Sequence, residues 1–284
     1  MSAQNFVSTE WLATHLNDAD VAIVDASWYL PTMNRDGKKE YAEGHIPNAV
    51  HFDIDVIADT SSPLPHMLPT PENFARIVGA MGISEKDHIV VYDGAGLFAA
   101  ARVWWTFRVM GASRVSILEG GAPKWRSESR PWTSDKTQRP AKTFVPNFHE
   151  GAVASLNRVK DVLHTKSAQI VDARPADRFR GEASEPRPGL KSGHMPGSFN
   201  VPFSEVVKNG SLVDKASLKT AFEKAGVHLD KPVITSCGSG VSAAILALAL
   251  EEIGTPAKAL YDGSWAEWGG RDDTEVVKLE PFSF

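Results

Sequence analysis

The sequence predicts an α/β protein of two tandem domains, each with a mainly parallel sheet flanked by helices on both faces. Short β-branched strands alternate with helical segments along all 284 residues, which is the pattern of parallel sheets covered by crossover helices. The same landmarks recur in the same order in the second half, which indicates an internal duplication. The predicted domains cover 1–126 and 151–284. A linker rich in Ser, Thr, Pro, Lys and Arg joins them over 127–150.

The elements of the first copy follow from helix caps, β-branched runs and glycine stops. Ser8 and Thr70 are N-cap residues, and Pro71 suits the first position of a helix. The predicted elements are a helix over 8–16, a strand over 21–26, a turn over 44–49, a helix from Thr70, a strand over 89–92, a helix over 98–110 and a strand over 115–118.

The second copy repeats these landmarks. They are a helix over 155–163, a strand over 169–174, a Gly-His-x-Pro turn over 193–198, a strand over 232–235 and a Tyr-Asp-Gly-Ser segment from 261. His45 and His194 lie in the matched turns, and Asp25 and Asp172 follow matched strands. Because both copies carry them, these four side chains are assigned to structure.

The only cysteine, Cys237, lies on a predicted strand-to-helix turn. A strand over 232–235 leads into it, and a strongly helical run begins after Val241. Gly238 and Gly240 let the backbone fold tightly around the sulfur. Inward N–H groups and the helix N-terminus favour the thiolate, which is the reactive form of cysteine. We therefore interpret Cys237 as a nucleophile rather than as a small apolar core residue.

Composition and charge exclude several other functions. A net charge of −5 with interspersed signs gives no reason to expect a nucleic acid or a membrane surface as partner. No apolar run reaches the roughly 18–20 residues that span a bilayer, and the first ten residues lack the features of a signal peptide. A single cysteine indicates a reducing compartment, so the cytoplasm is expected. The nine histidines do not fall in ligand spacing with it, so no metal or cofactor is predicted.

These residues resemble the two-domain rhodanese family of sulfurtransferases over essentially the whole chain. The resemblance rests on the paired Gly-His-x-Pro turns, on Asp93 at the cysteine position of the first copy, and on the loop Cys-Gly-Ser-Gly-Val-Ser-Ala from Cys237. Thiosulfate-specific relatives typically carry Cys-Arg-Lys-Gly-Val-Thr in this loop. The uncharged Gly238 and Ser239 therefore favour members that act on 3-mercaptopyruvate. Ser242 replaces the usual threonine and keeps its hydroxyl.

The resemblance implies a reaction in two halves. The Cys237 thiolate attacks the sulfur of 3-mercaptopyruvate, pyruvate leaves as its enolate, and the cysteine becomes a persulfide. A thiol acceptor, such as thioredoxin or a small thiol, or cyanide then removes the outer sulfur. The backbone of Gly238, Gly240, Val241 and Ser242 is expected to stabilise the anionic sulfur. The first domain, with Asp93 in place of the cysteine, is expected to be non-catalytic.

The resemblance also implies side chains around the cysteine. Arg178 and Arg187 match arginines that clamp the substrate in this family, and a guanidinium fork suits a carboxylate. Asp55 and His66 match residues that reach the site from the first domain. With Ser239 they form a candidate proton relay beside Cys237.

Three alternatives are weighed, and the second is rejected. The first is a thiosulfate sulfurtransferase with an unusual loop. The second is a phosphatase of similar fold, which would need an arginine six residues after the cysteine, where this chain has Ala243. The third is a non-catalytic sulfur carrier or binding module, against which the intact loop and both arginines argue.

Overall fold

The chain forms two compact units. A computed structural model describes residues 4–278, so residues 1–3 and 279–284, which end the two predicted domains, lie outside the described residues. The first unit contains the chain up to Ser61 together with Leu68–Glu150 and Asn209–Ser211, and the second contains Ser62–Met67, Gly151–Lys208 and the chain from Leu212 on. Two short segments, Ser62–Met67 and Asn209–Ser211, therefore group with the other half of the sequence.

The first unit is a parallel sheet with helices. Its described elements are β1 (Phe6–Val7), α1 (Thr9–His15), β2 (Val21–Asp25), α2 (Gly37–Glu43), β3 (Val50–His51), α3 (Pro71–Ala80), β4 (His88–Tyr92), α4 (Ala99–Val109), β5 (Arg114–Leu118) and α5 (Gly121–Ser127). The strands are ordered β1-β5-β4-β2-β3 and all neighbours run parallel.

The second unit repeats this architecture. Its described elements are β6 (Val153–Ala154), α6 (Leu156–Thr165), β7 (Gln169–Asp172), α7 (Ala176–Arg180), β8 (Phe199–Asn200), α8 (Phe203–Val206), β9 (Val207–Lys208), β10 (Ser211–Leu212), α9 (Lys215–Lys224), β11 (Val233–Ser236), α10 (Val241–Glu252), β12 (Ala259–Tyr261) and α11 (Ser264–Trp268). The parallel sheet is ordered β6-β12-β11-β7-β8, the same order as in the first unit, and β9 and β10 form a separate two-stranded sheet. The predicted fold class is confirmed.

Helix caps and burial explain why these segments fold as they do. The side chains of Ser8, Thr70 and Ser155 each accept a backbone N–H three residues later, as their positions predict. Helix α10 is buried from Val241 to Leu250, which accounts for its lack of a polar face. The helix that follows the Cys237 loop is therefore held in the core.

The sequence did not predict the β9–β10 hairpin, although its turn contains an Asn-Gly pair. Asn209 and Gly210 both have positive φ, at 51° and 74°, as this type of tight hairpin turn requires. A β-carbon built on Gly96 would lie 2.6 Å from the Cα of Gly210. Backbone packs on backbone here, so only glycine fits at Gly96.

The segment predicted as a linker is hydrogen-bonded along the first unit. Thr133 pairs with His45 in an isolated antiparallel bridge. Further along, the N–H of Lys142 donates to the carbonyl of Gly79 at 2.9 Å. These backbone bonds fix a stretch that has no periodicity of its own. Over residues 4–278, the structure contains no helix with the length and apolar character needed to cross a membrane.

Candidate active site

Cys237 lies between the end of β11 and the start of α10, at the carboxyl edge of the parallel sheet, where ligands of such sheets bind. It is 2% exposed and is not part of a disulfide. Gly240, with φ of 78°, makes the left-handed turn into the helix. The N–H of Cys237 donates to Ser264 Oγ at 3.3 Å, and its carbonyl accepts from the N–H of Trp265 at 2.9 Å. The segment after β12 thus fixes the backbone at the cysteine.

The matching loop of the first unit shows what this kind of turn can hold. Asp93, the counterpart of Cys237, is 1% exposed. Its carboxylate accepts N–H groups from Ala95 at 2.9 Å, Phe98 at 2.7 Å and Ala100 at 2.8 Å. Burial raises the pKa of Asp93, and these backbone donors oppose that rise. Backbone N–H groups therefore converge on an acidic side chain at this position of the fold.

The guanidinium of Arg178 lies against the Cys237 loop. Arg178 belongs to α7, and a β-carbon built on Gly238 would be 3.3 Å from its Nη2 atom. The side chain is 16% exposed. Its Nε is buried without a hydrogen-bond partner within residues 4–278, and an unsatisfied buried donor of this kind is a feature of functional sites. The structure thus places the predicted clamp arginine beside the loop.

A buried carboxylate holds Arg178 from behind. Glu185, whose side chain is 1% exposed, accepts from Arg178 Nη2 through Oε2 and from Arg174 Nη1 through Oε1, the latter at 2.7 Å. Asp172 in turn accepts from Arg174 Nε at 2.9 Å. The four side chains form a continuous chain of alternating charge that runs from the end of β7 to the Cys237 loop.

Arg174 is the centre of this buried charge chain. It is 1% exposed, its Nη2 donates to the carbonyl of Gly193 at 2.8 Å, and its guanidinium carbon lies 4.1 Å from the ring centroid of Trp265. Burial acts to lower the pKa of Arg174, but Asp172 and Glu185 outweigh it and raise the pKa. Arg174 therefore stays charged in the core.

The sequence analysis assigned no role to Arg174 or Glu185. Arg174 ends the predicted strand over 169–174, and Glu185 lies outside every predicted helix and strand. A hydrophobic pattern does not show that two charged residues 11 positions apart are hydrogen-bonded. The available signal was the clustering of charge, because two glutamates and four arginines lie within 174–187.

Arg187 and His66 lie together in the second unit. Arg187 Nη2 is 3.4 Å from His66 Nε2. Because a guanidinium can only donate, His66 Nε2 is the acceptor in this contact. His66 is 5% exposed and has a φ of 60°. The segment Ser62–Met67 therefore brings His66 into the same compact unit as Cys237.

The other predicted site residues divide between the units. Ser239, Val241 and Ser242 are buried in the Cys237 loop and the first turn of α10, with 5%, 3% and 8% exposure. Asp55 is exposed in the first unit, and its Oδ2 accepts from Trp28 Nε1 at 2.8 Å. Within residues 4–278, no group of three or more His, Cys, Asp or Glu side chains is arranged to hold a metal ion.

The two predicted structural histidines occupy equivalent positions. His45 Nδ1 lies 2.8 Å from the carbonyl oxygen of Tyr41, and His194 Nδ1 lies 2.8 Å from that of Phe179. Each imidazole stacks on the ring of the same partner, with centroids 4.1 Å and 3.9 Å apart. These contacts align α2 with α7, so that Tyr41 corresponds to Phe179.

Comparisons with known proteins agree with this architecture. The rhodanese-like domain family matches residues 8–128 and 155–271. A 3-mercaptopyruvate sulfurtransferase of Escherichia coli (strain K12) is 45% identical over 281 residues, 99% of this chain and 100% of that protein. A thiosulfate sulfurtransferase of Rattus norvegicus is 41% identical over 278 residues, 95% of this chain and 93% of that protein.

A solved structure gives the same result at the level of the fold. The crystal structure of SseA from Escherichia coli, described as a 3-mercaptopyruvate sulfotransferase with the rhodanese fold, has a TM-score of 0.85 to this chain. It is 42% identical and covers 92% of this chain and 98% of its own. The family match spans both halves of the chain, and the sequence resemblance is confirmed. The chain belongs to the rhodanese family.

Proposed function

We propose that this protein is a sulfurtransferase that carries the sulfur of 3-mercaptopyruvate on Cys237 and passes it to a thiol acceptor. The single observation that carries the proposal is the Arg178 guanidinium at Gly238, beside a cysteine loop that has no charged side chain of its own. A cation at the rim of the loop suits a donor whose negative charge, a carboxylate, is separate from its sulfur. The full-length relative of Escherichia coli carries the corresponding name.

The first half-reaction forms the persulfide. The Cys237 thiolate attacks the sulfur of 3-mercaptopyruvate, and the new sulfur–sulfur bond forms as the carbon–sulfur bond breaks. The electron pair of the broken bond leaves on pyruvate as its enolate, which takes up a proton. Backbone N–H groups of the loop stabilise the sulfur anion before and after the transfer, as the Asp93 loop supports.

The second half-reaction regenerates the Cys237 thiolate. The thiolate of an acceptor attacks the outer sulfur of the persulfide, and Cys237 leaves as a thiolate. We propose thioredoxin or a small thiol as this acceptor, and cyanide as an alternative one. We also propose the cytoplasm as the compartment, because the chain has one cysteine and the reaction needs it reduced. Cell fractionation that recovers the protein from an oxidising compartment would contradict this location.

Four further side chains are proposed to assist the two sulfur-transfer steps: Arg187, His66, Ser239 and Asp55. Arg187 is the second clamp for the substrate carboxylate, and its contact with His66 supports a place for both in one site. His66 is proposed to exchange a proton with the reacting groups once Arg187 turns to the substrate. Ser239 lies two residues from the nucleophile. The role of Asp55 stays a prediction from the family resemblance.

The identity of the sulfur donor is tested by measuring the mass of the intact protein. The intact protein is incubated with 3-mercaptopyruvate or with thiosulfate, and its mass and the released pyruvate are measured. We expect one added sulfur atom with 3-mercaptopyruvate, with pyruvate in equal amount, and a clear preference for this donor in steady-state turnover. A preference for thiosulfate would establish the thiosulfate sulfurtransferase instead, the name carried by the rat relative. No added sulfur from either donor would favour a non-catalytic module.

We also propose that the first domain is non-catalytic for reasons beyond its missing cysteine. A β-carbon built on Gly94 would lie 3.3 Å from Glu40 Oε2 and 3.2 Å from Arg35 Nη2. Arg35 donates to Glu40 through Nε and Nη2, at 2.7 and 2.8 Å. A carboxylate therefore lies at this loop glycine, whereas none lies within 4 Å of a β-carbon built on Gly238 among the described residues, and Gly96 is covered by Gly210.

Restoring the cysteine in the first domain is therefore expected to restore no activity. The variant Asp93→Cys in a Cys237→Ser background should stay at the level of Cys237→Ser alone, because Glu40 repels an anionic donor. The measurement is pyruvate release together with intact mass. Recovery of even a few per cent of wild-type turnover would show that the first domain lacks only its nucleophile.

A further inference from the structure

We propose that Glu185 is a positioning residue that fixes Arg178 over the Cys237 loop and so sets the affinity for the anionic sulfur donor. This inference rests on the proposed function and deepens it, because it concerns how the same site holds its substrate. Glu185 itself touches two arginines rather than the nucleophile.

The geometry of Glu185 is that of a bridge. One carboxylate oxygen accepts from Arg178 and the other from Arg174, and the side chain is 1% exposed. Arg174 is in turn fixed by Asp172, by a backbone carbonyl and by the face of Trp265. The bridge therefore connects the side chain at the rim of the loop to a buried guanidinium that has several partners of its own.

Fixing Arg178 matters because a free arginine has many rotamers. Ordering such a side chain costs free energy when a ligand binds, and a partner that has already ordered it removes part of that cost. A fork held in one orientation can also give parallel hydrogen bonds to a carboxylate. The Nη2 atom that donates to Glu185 is also the atom that lies 3.3 Å from a β-carbon built on Gly238.

The first unit contains the inverse arrangement. The correspondence of Tyr41 with Phe179 places Glu40 at the position of Arg178. There a carboxylate lies at the loop glycine, and Arg35 holds it. Both units thus keep a Glu–Arg pair beside the loop. In the first unit both charges lie within 4 Å of a β-carbon built on Gly94, whereas at Gly238 Arg178 is the only charged group that close among the described residues. This contrast indicates that Glu185 serves to present a guanidinium.

Charge alone predicts the opposite effect of removing Glu185. In the buried chain, Asp172 and Glu185 balance Arg174 and Arg178. Without Glu185, Arg178 would carry an uncompensated positive charge and would attract an anion more strongly. If orientation is the function of Glu185, affinity instead falls despite this gain in charge. The sign of the change in KM therefore separates the two effects.

The test begins with Glu185→Gln, which keeps the shape and removes the charge and one acceptor. We expect KM for 3-mercaptopyruvate to rise about 10-fold, as when a supporting residue of a site is lost, and kcat to stay within about 3-fold. The matched control is Glu182→Gln in the same segment. Glu182 pairs with Arg180 at the surface, where its side chain is 44% exposed, and KM should not change.

A double-mutant cycle shows whether Glu185 acts through Arg178. In an Arg178→Ala background, Glu185→Gln should have little further effect on kcat/KM, because the group that it positions is absent. Equal effects of Glu185→Gln in both backgrounds, or a KM that is unchanged or lower in the single variant, would overturn the proposal.

Two further points keep the result decisive. Should Glu185→Gln fail to fold, Arg178→Lys is used, since lysine keeps the charge but lacks the fork. We then expect a KM as high as in Arg178→Ala, and a wild-type KM would overturn the proposal. Failure of the proposed function appears separately, in the wild type, as a preference for thiosulfate. The double-mutant cycle of Glu185→Gln and Arg178→Ala is then measured with thiosulfate as the donor. The coupling between the two substitutions in kcat/KM then shows whether Glu185 acts through Arg178.

Discussion

Replacing Cys237 by serine is expected to abolish sulfur transfer, with kcat/KM at least about 1000-fold lower than in the wild type. The serine hydroxyl is not ionised near neutral pH and forms no persulfide, so the first half-reaction has no sulfur acceptor and the second has no persulfide to act on. Cys237 is also the only cysteine of the chain, which removes any substitute thiol. The measurement combines steady-state pyruvate release with the intact mass after incubation with 3-mercaptopyruvate.

The control for Cys237→Ser is a measurement that the variant is folded. Cys237 is 2% exposed, and serine leaves in place the hydrogen bonds of its backbone N–H with Ser264 and of its carbonyl with Trp265. The variant should therefore unfold within a few degrees of the wild type and give the same circular dichroism spectrum. Turnover within 10-fold of the wild type would place the reaction on a group other than a thiol and would end the persulfide mechanism.

The duplicated fold was predictable because its evidence is local and occurs twice. Caps, β-branched runs and glycine stops each act over a few residues, and Ser8 and Ser155 show the same cap in both copies. Two-residue strands such as Phe6–Val7 and Val153–Ala154 were not predicted, because two residues are too few to show a period. Their pairing depends on the neighbouring strand rather than on their own sequence.

The candidate site was predictable only in part, for a related reason. Cys237 is evident because its loop and its uniqueness are features of a short stretch. The place of Arg178 at Gly238 came from the family resemblance, and its hold by Glu185 came from neither source, because it is made by packing across the unit. The grouping of His66 with the second unit likewise depends on the path of Ser62–Met67, which no local pattern specifies.

Arg174 carries the second large expected effect, on stability. Replacing it by methionine is expected to lower the free energy of unfolding by about 3–5 kcal/mol, since it removes one partner from a buried ion-pair network. Asp172 would lose its guanidinium partner, and its side chain is 2% exposed, so water cannot replace the lost hydrogen bonds. Methionine fills much of the arginine stem volume, so the loss reports the charge rather than a cavity. Urea denaturation followed by circular dichroism measures it.

Arg180→Met is the matched control, because the same substitution there removes a surface pair. Arg180 donates to Glu182, and the two side chains are 39% and 44% exposed, so its loss should cost no more than about 1 kcal/mol. If Arg174→Met costs no more than Arg180→Met, the buried charge chain does not stabilise the second unit. Arg178 would then be fixed by packing rather than through Glu185.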